Sequence, residues 1–435
     1  MECNAKSVSV RSLCSKVLTL LDRGLFIQEA LAKVQSEYFR NFSDQHLLSE
    51  LAYGVVRSEI RLNFILESVT KMASLPKKVQ YILLIATYSL LYLDRIPIHA
   101  IFFEAIEETK KLFGRRLANF VCAVLHKLAM HKDLFSELAF YRDVHDEPQS
   151  SSLHALSRYY SLPFWLAKFW EDQYGLTASI HLMRRSAQRP KACFRLNQKH
   201  NERDLKIFLL DQGAQFITDS AFFLPKAQPG LLNRLQASGS ISAQSLGSQL
   251  LLHNLGLAHW KKPVWDFCAG FGGKSAWLSE QGVPIFLATD FSWNRLVGLI
   301  KDFQRRHDQL PFCLQMDGTI PAVKSFAGNL IVDVPCSGLG ILARRPDLRR
   351  VRKTKRSLRL FPKTQRALLL SALQYLTPHC ELAYLTCTVN PAENEMIVSE
   401  ILRIHPELTL ERCWQTPHDL EDVEGMYGAV LRRRY

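Results

Sequence analysis

The sequence predicts an α/β protein: a doubly wound, mostly parallel seven-stranded sheet in its second half, after an all-helical region and a small mixed α/β segment. Two patterns carry this prediction. From about residue 260, short apolar runs alternate with helical patterns. Residues 8 to about 140 instead place apolar side chains three and four positions apart, helix after helix. A chain of 435 residues with 47% hydrophobic content can bury the cores of two or three domains.

The helical region is assigned to residues 1–145. Its segment Tyr81–Leu93 is apolar on all sides, which predicts the central helix of a bundle. At 13 residues the segment is too short to cross a bilayer. Two amphipathic helices are predicted at 105–112 and 117–125. The four basic residues around their junction fit a solvated face and an RNA contact equally well; this 110–116 basic cluster consists of Lys110, Lys111, Arg115 and Arg116.

The polar stretch 146–152 predicts a linker. A small α/β subdomain is expected at 153–240, with 163–166 on a helix and 192–197 as a strand. Residues 241–435 form the expected catalytic domain. Its seven predicted strands are Pro263–Phe267, Ile285–Asp290, Phe312–Met316, Leu330–Asp333, Leu382–Thr386, Leu408–Cys413 and Tyr427–Leu431.

Charge and cysteine content restrict the class of protein. The chain carries 55 Lys+Arg against 41 Asp+Glu, a net charge of +14. Such an excess favours a polyanionic partner, most simply nucleic acid, over a basic surface kept only for solubility. The ten cysteines form no Cys-x-x-Cys pair, so we expect neither a metal site nor a disulfide framework. The first residues lack a secretory apolar core. We therefore expect a cytoplasmic monomer without a membrane partner.

A glycine-rich loop follows the first predicted strand. Residues 266–275 read Asp-Phe-Cys-Ala-Gly-Phe-Gly-Gly-Lys-Ser and lead into a helix. Glycines allow close approach of a ligand, and a helix N-terminus favours an anionic group. Asp290 ends the next strand 20 residues after Gly270, where an acid commonly binds a nucleotide ribose. NAD, flavin and S-adenosylmethionine all fit this pattern, and so does a tight turn without a ligand.

Acidic residues stand at the ends of four consecutive predicted strands. Each alone is commonly a helix cap or turn residue. Four in series predict one acidic crevice at the carboxyl edge of the sheet, where ligands of α/β proteins bind. The four residues are Asp266, Asp290, Asp317 and Asp333.

Two cysteines occupy matching positions at that edge. Cys336 follows the strand ending at Asp333, and Cys387 follows the strand ending at Thr386. The simplest interpretation is that both cysteines are buried, inert and serve only to pack the core. Their chemical interpretation is covalent catalysis: a thiolate adds to carbon-6 of cytosine, and carbon-5 then becomes nucleophilic toward a methyl donor. Asp333 is placed to support charge at ring N3. The residues themselves leave open which thiol attacks.

A basic run, residues 344–356, follows Cys336 closely. A charged helix facing solvent is the ordinary interpretation of such a run. Because the run lies directly after the proposed active edge in sequence, we expect it to bind RNA phosphates.

Together these motifs resemble the Sun/Fmu (RsmB-like) family of bacterial ribosomal RNA cytosine-5 methyltransferases. Residues 266–274 match the family's Asp-x-Cys-Ala-Ala-Pro-Gly-Gly-Lys motif, and residues 333–337 match Asp-Ala-Pro-Cys-Ser. Residues 386–388 with 393–394 match Thr-Cys-Ser…Glu-Asn. Gly239–Gln244 and Arg195–Asn197 match two further elements, and segments 93–100 and 118–125 resemble the family's NusB-like helical domain. The resemblance therefore covers nearly the whole chain.

The resemblance implies a Rossmann-like, S-adenosylmethionine-dependent enzyme that forms 5-methylcytosine in small-subunit (16S) ribosomal RNA. It implies that Cys387 is the nucleophile and that Cys336 assists product release, although DNA cytosine methyltransferases use the Pro-Cys thiol for attack. It further implies that S-adenosylmethionine is bound by Cys268, Ala269, Gly270, Phe271, Gly272, Gly273, Lys274, Asp290, Asp317 and Asp333.

Two departures from the family pattern affect three positions. Gly270-Phe271 replaces Ala-Pro, which loosens the loop and adds an aromatic ring beside the expected cofactor. Val334 replaces a smaller alanine at the active edge. Three other functions compete with the main prediction: the same chemistry on transfer RNA, a non-catalytic RNA-binding assembly factor, and a nicotinamide-dependent oxidoreductase. The oxidoreductase would leave both cysteines without a role.

Overall fold

A computed structural model describes residues 8–38, 42–143, 146, 151–197, 199, 202–225 and 229–435. These residues divide into two compact units. One unit contains the described residues up to Arg189 together with Leu342–Lys355. The other contains the described residues of Pro190–Ile341 and of Arg356–Tyr435.

Helices occur in both units and are numbered in chain order. They are α1 Val10–Asp22, α2 Ile27–Tyr38, α3 Phe42–Glu67, α4 Lys77–Tyr92, α5 Ile98–Phe113, α6 Arg115–Met130, α7 Ser151–Tyr159, α8 Phe164–Ala187, α9 Glu202–Asp211, α10 Pro229–Ala237, α11 Leu246–Asn254, α12 Gly273–Glu280, α13 Trp293–Arg305, α14 Leu348–Val351, α15 Leu360–Leu373 and α16 Glu395–Ile404.

Helix α4 is the centre of the helical unit. Nearly every residue from Val79 to Leu90 is buried, as the all-round apolar pattern predicts. Prolines precede both α4 and α5, where a missing amide hydrogen costs nothing because the first helical amides have no partner within the helix. Gly114, at φ +83°, separates α5 from α6. The four side chains of the 110–116 basic cluster are exposed around this junction.

Part of the expected linker, residues 147–150, lies outside the described residues. The described residues next to it make specific contacts. The carboxylate of Asp146 accepts two hydrogen bonds from Arg158, at 2.6 and 2.8 Å. Helix α7 already begins at Ser151.

The basic run after Cys336 belongs, up to Lys355, to the helical unit, and part of our phosphate-binding prediction is wrong. Arg349 is 7% exposed and donates to the backbone carbonyls of Arg57 and Ser186. Arg350 pairs with Glu59 at 2.6 Å and with Asp22 at 3.0 Å. These guanidinium groups are occupied by protein carbonyls and carboxylates, so they do not face RNA. Other basic residues of the run remain exposed, namely Lys353, Lys355 and Arg356.

The second unit contains two sheets. The smaller one has the order β2-β3-β1-β4, and its paired strands run antiparallel. Its strands are β1 Cys193–Leu196, β2 Gln215–Phe216, β3 Ala221–Phe223 and β4 Ile241–Ala243.

The larger sheet has the order β10-β11-β9-β8-β5-β6-β7 and confirms the predicted fold class. Strands β9, β8, β5, β6 and β7 are parallel, and β11 pairs antiparallel with both β9 and β10. All seven predicted strands are present, with ends shifted by at most two residues. They are β5 Val264–Asp266, β6 Ile285–Asp290, β7 Phe312–Gln315, β8 Asn329–Asp333, β9 Glu381–Thr386, β10 Leu408–Gln415 and β11 Tyr427–Arg433.

The central strands are apolar because both faces of the sheet are covered. Trp265 and Tyr384 pack into the core on one face, whereas Ile331 and Ala383 pack into the core on the other. Alternate residues therefore point to opposite cores, and the strands lose the polar–apolar alternation of a half-exposed sheet. This arrangement brings the carboxyl ends of β9, β8, β5 and β6 side by side at one edge.

Among the described helices, none is both long enough and apolar enough to span a bilayer.

Candidate active site

The glycine loop connects β5 to α12 through two left-handed residues. Gly270 has φ +56° and Gly272 has φ +79°, a region that costs side-chain-bearing residues energy. A Cβ atom on Gly272 would also lie 2.5 Å from the side chain of Leu299. Around Gly270, by contrast, space is open. The loop is therefore held close to α13 at Gly272 and leaves room for a ligand at Gly270.

Asp290, at the end of β6, is tied to this loop. Its carboxylate accepts from the amides of Gly270, at 2.9 Å, and Ser292, at 2.8 Å. The residue is 6% exposed. Backbone contacts thus fix the carboxylate in one orientation beside the open space at Gly270.

Asp266, at the end of β5, is more deeply buried. Ser275 donates to one carboxylate oxygen at 2.6 Å, while the other oxygen is buried without a hydrogen-bond partner among the described residues. Burial, reinforced by neighbouring carboxylates and opposed by the Ser275 hydrogen bond, raises the pKa of Asp266 to about 7.

Lys274, the second residue of α12, forms an ion pair with Asp333 at the end of β8. Burial lowers the pKa of Lys274, but the charges of Asp333 and of Cys387 outweigh it, so the pKa is raised overall. A fixed ammonium group therefore stands near the thiol that follows β9.

The two predicted thiols are brought together. The Sγ atoms of Cys336 and Cys387 are 3.1 Å apart, and the Cys387 amide donates to Cys336 Sγ at 3.4 Å. The hydrogen bond between the thiols and burial raise the pKa of Cys336 well above its usual range, and Glu393 adds to this shift. Each of the two cysteine residues as a whole is partly exposed. The fold thus brings two thiols that are 51 residues apart in sequence into direct contact.

The remaining predicted residues lie on the glycine loop, after β7 and after β8. Ala269 donates its amide to the Thr289 carbonyl at 2.8 Å. Burial raises the pKa of Cys268 well above its usual range. Phe271 is 67% exposed, and Asp317 is exposed and accepts hydrogen bonds from Thr319. Val334 is buried and pairs through its amide with Leu385, which places its side chain in the core rather than in the open edge.

A network of buried polar residues bonds the neighbours of the two thiols, and the sequence alone did not predict it. Glu393 is fully buried and accepts from the Ser337 amide and from the side chains of Gln365 and Asn390. Asn394 bonds Thr386 and Thr388, the two neighbours of Cys387. The signal available in the sequence was the Glu-Asn pair after the second cysteine, but it did not predict these contacts.

A second buried network supports the glycine loop. Arg195 is 1% exposed and donates to Glu280 at the end of α12, to Gln244 and to the carbonyl of Gly273. Arg306 also donates to Glu280, at 3.1 Å. The resemblance marked Arg195 and Gln244 as family positions without predicting this role. Both ends of α12 are held by one guanidinium group.

The site fits S-adenosylmethionine in three respects. The loop offers open space at Gly270, Asp290 offers a fixed carboxylate for ribose hydroxyls, and Asp266 retains a buried oxygen without a partner among the described residues. No group of three or more potential metal ligands occurs in the part of the chain that the structure describes.

A mostly parallel seven-stranded sheet in this order, with β11 antiparallel to its neighbours, is typical of Rossmann-like methyltransferases, and the glycine loop after β5 and the acid ending β6 fit that class. Comparison with known proteins identifies the family. Residues 257–430 match the model of the 16S rRNA methyltransferase RsmB/F family, and residues 8–130 match that of the NusB family. The chain thus combines a segment that matches the RsmB/F methyltransferase family with a segment, N-terminal to it, that matches the NusB family.

Similarity extends over the whole chain. The chain is 29% identical over 436 residues to the probable ribosomal RNA small subunit methyltransferase B of Bacillus subtilis, covering 94% of this chain and 92% of that protein. It is 26% identical over 455 residues to ribosomal RNA small subunit methyltransferase B of Klebsiella pneumoniae, covering 99% of each.

Solved structures share the fold. The crystal structure of PH0851 superposes with a TM-score of 0.74 at 18% identity, covering 98% of this chain and 99% of that one. NSun6 from Pyrococcus horikoshii with SFG gives a TM-score of 0.54 at 17% identity, covering 63% and 98%. The predicted family, fold and NusB-like region are thereby confirmed.

Proposed function

We propose that this protein forms 5-methylcytosine in small-subunit (16S) ribosomal RNA through a covalent cysteine–cytosine intermediate. One observation carries the proposal: two thiols 3.1 Å apart stand at the carboxyl edge of the sheet, beside an ion pair of Lys274 and Asp333. A cysteine pair that served only packing would not require a partly buried cation and an acid at the same edge.

The chemistry begins with the thiolate of Cys387. Its electron pair forms a bond to carbon-6 of cytosine, and the electrons of the 5,6 double bond move toward carbon-5, with charge accumulating at N3. Asp333 is positioned to support that charge by hydrogen bonding or proton transfer. After carbon-5 gains a methyl group, a base removes its proton, the double bond re-forms, and the sulfur–carbon bond breaks to release the Cys387 thiolate.

The surroundings of the thiols support this division of labour. Lys274, which is paired with Asp333, places its ammonium group near Cys387. Cys336 has a raised pKa because of its hydrogen bond with Cys387, its burial and Glu393, so it is held as a neutral thiol. A neutral thiol beside the adduct can donate or relay a proton during release, whereas a thiolate is needed for attack.

We assign cofactor binding to residues 268–274 with Asp290, Asp317 and Asp333. S-adenosylmethionine, when bound there, supplies the methyl group as an electrophile. Asp290 would accept hydrogen bonds from the ribose hydroxyls, since its carboxylate is already oriented by two amides. The glycine loop would admit the ligand without a side-chain clash at Gly270.

We assign RNA binding to the helical domain as well as to the catalytic domain. The 110–116 basic cluster is exposed, and phosphate contacts of this kind add affinity without sequence specificity. The names of the relatives favour small-subunit ribosomal RNA as the substrate. With a ribosomal RNA substrate, the expected location of the activity is the cytoplasm.

The test separates the two thiols. Cys387→Ala is expected to abolish methyl transfer while leaving RNA binding intact, because the covalent bond to carbon-6 cannot form. Cys336→Ala is expected to attack and methylate once but fail to release its product. A slower-migrating protein–RNA adduct should therefore survive denaturing electrophoresis with labelled 16S ribosomal RNA. Cys413→Ala, which removes an exposed thiol of the same unit, is the matched control and should turn over normally.

The alternatives give different results in the same experiment. An adduct with Cys387→Ala instead would reverse the roles of the thiols. Turnover by both variants without any adduct would refute covalent catalysis, and RNA binding without methylation by the parent protein would indicate an assembly factor. Bisulfite mapping of total RNA with and without the gene identifies the modified cytosine and would reveal a transfer RNA substrate.

A further inference from the structure

Glu393 is a buried acid to which the proposed reaction gives no role. Its exposed fraction is 0%, and both carboxylate oxygens accept hydrogen bonds. One oxygen accepts from the Ser337 amide at 2.8 Å and from Gln365 at 2.9 Å, and the other accepts from Asn390 at 2.8 Å. Among the residues that the structure describes, no Lys or Arg side chain bonds this carboxylate. The described partners of this carboxyl group are therefore all neutral donors.

This carboxylate is attached to the backbone of the Pro-Cys loop. The Ser337 amide that it accepts from belongs to the residue directly after Cys336. Gln365 extends the same connection, because its amide also donates to the Pro335 carbonyl at 3.0 Å. Residues on both sides of Cys336 are thus fixed by one acid and one amide, and the position of the thiol is fixed with them.

The neighbouring residue fixes the other thiol. Asn394 accepts from the Thr386 hydroxyl at 2.7 Å and donates to the Thr388 carbonyl at 3.0 Å. A hydrogen bond of 2.7 Å between the Ser337 and Thr388 hydroxyls joins the two loops. Two consecutive residues directly before α16 therefore hold together two loops that are 51 residues apart in sequence.

The charged groups around the two thiols differ in sign. Cys336 faces the carboxylate of Glu393, the neutral phenol of Tyr384 on β9, and Cys387. Its one opposing contact is the Cys387 amide, which favours a thiolate. Cys387 interacts with the ammonium of Lys274 from α12. The Cys336 side of the pair therefore has an acidic neighbour, and the Cys387 side has a basic one.

We propose that Glu393 is a positioning residue that makes the two thiols unequal: together with Gln365 it fixes the Pro-Cys loop and thereby Cys336, which leaves nucleophilic attack to Cys387. The significance of this inequality rests on the covalent mechanism proposed above. The inequality itself is a property of the free protein and is measurable without RNA or a methyl donor. Glu393 touches neither reactant and acts only through Cys336 and its loop.

The experiment compares the reactivity of the two thiols in the full-length protein. Iodoacetamide alkylates thiolates, so limited modification across pH 6–10, followed by peptide mass spectrometry, gives a titration curve for each cysteine. In the parent protein Cys387 should be alkylated faster than Cys336 throughout. In Glu393→Gln, which keeps the shape of the side chain and one acceptor oxygen, the rate at Cys336 near pH 8 should rise by about tenfold or more.

A matched control lies two residues away. Glu395→Gln removes an exposed carboxylate at the start of α16 and should leave both titration curves unchanged. A merely structural role for Glu393 would lower the melting temperature of Glu393→Gln without shifting the Cys336 curve, and that result would overturn the proposal. If Glu393→Gln fails to fold, the titration curves of the parent protein still test the proposal. Ionisation of Cys336 at a lower pH than Cys387 would refute the proposal. Methyl transfer by the parent protein is assayed separately. Failure of the covalent mechanism can therefore be distinguished from failure of the proposal on Glu393.

Discussion

Removing the charge of Glu280 is expected to destabilise the second unit strongly. This unit, which contains the described residues of Pro190–Ile341 and Arg356–Tyr435, is called the catalytic unit below. Glu280 is 4% exposed and lies between two arginines that are each 1% exposed. Arg195 contacts it through two nitrogens, one at 2.8 Å, and Arg306 contacts it at 3.1 Å. In Glu280→Gln, Arg306 keeps Asp302 and Asp308, but Arg195 keeps only neutral partners among its described contacts.

The magnitude follows from this arrangement. Breaking a buried ion pair from one side costs about 3–5 kcal/mol, because the remaining charge stays buried without compensation. For a unit of this size, each kcal/mol lowers Tm by roughly 2–4 °C, so we expect the transition of the catalytic unit to fall by roughly 6–20 °C. Since Arg195 also holds the Gly273 carbonyl, the affinity for S-adenosylmethionine should fall as well.

Differential scanning calorimetry of the full-length protein resolves the effect. The control is Asp422→Asn, which breaks an exposed 2.6 Å pair with Lys191 in the same unit. Exposed pairs contribute about 0.2–1 kcal/mol, so the control should melt within roughly 4 °C of the parent protein. A Glu280→Gln transition as close to the parent as the control's would show that the buried network does not stabilise the unit, and the reasoning would be refuted.

Two further predictions concern ligands. Asp290→Ala should weaken binding of S-adenosylmethionine by about 2 kcal/mol or more in calorimetry, since it removes charge-assisted hydrogen bonds; unchanged affinity would exclude Asp290 from the site. Replacing all four residues of the 110–116 basic cluster by alanine should reduce the slope of log affinity for RNA against log salt by up to about three, because fewer counterions are released. An identical slope would exclude this cluster from the RNA interface, and point substitutions are preferred to deletion because Leu342–Lys355 pack in the same unit.

The sequence predicted the parts of the fold that depend on local pattern. All seven strands of the large sheet were predicted, and the central ones were the clearest because strands covered on both faces are continuous apolar runs bounded by turn residues. The contact between Cys336 and Cys387 followed from the same pattern, since both cysteines come directly after parallel strands, and β8 and β9 are neighbours. Local sequence therefore located the thiols to one edge without any knowledge of their distance.

Long-range polar contacts could not be predicted in this way. Arg195 and Glu280 are 85 residues apart, and nothing near either residue distinguishes a buried charge from an exposed one. Arg349 and Arg350 belong to a run of basic residues that looks the same whether it binds phosphate or protein, and Arg350 pairs with Glu59, 291 residues earlier. Glu393 was visible as a motif residue, but its hydrogen bonds depend on the pairing of two loops that only the fold brings together.

The place of Leu342–Lys355 in the helical unit has a consequence for biosynthesis. During translation the helices up to Arg189 emerge first, yet their last partner, the segment containing Arg349, emerges only after most of the catalytic unit. At 5–20 residues per second this delay is on the order of ten to thirty seconds. Throughout that interval the carboxylates of Asp22 and Glu59 and the carbonyls of Arg57 and Ser186 lack their arginine partners. The nascent N-terminal bundle therefore completes its packing after it leaves the ribosome's exit tunnel, and truncated chains that end before residue 342 should be more susceptible to proteolysis within the bundle.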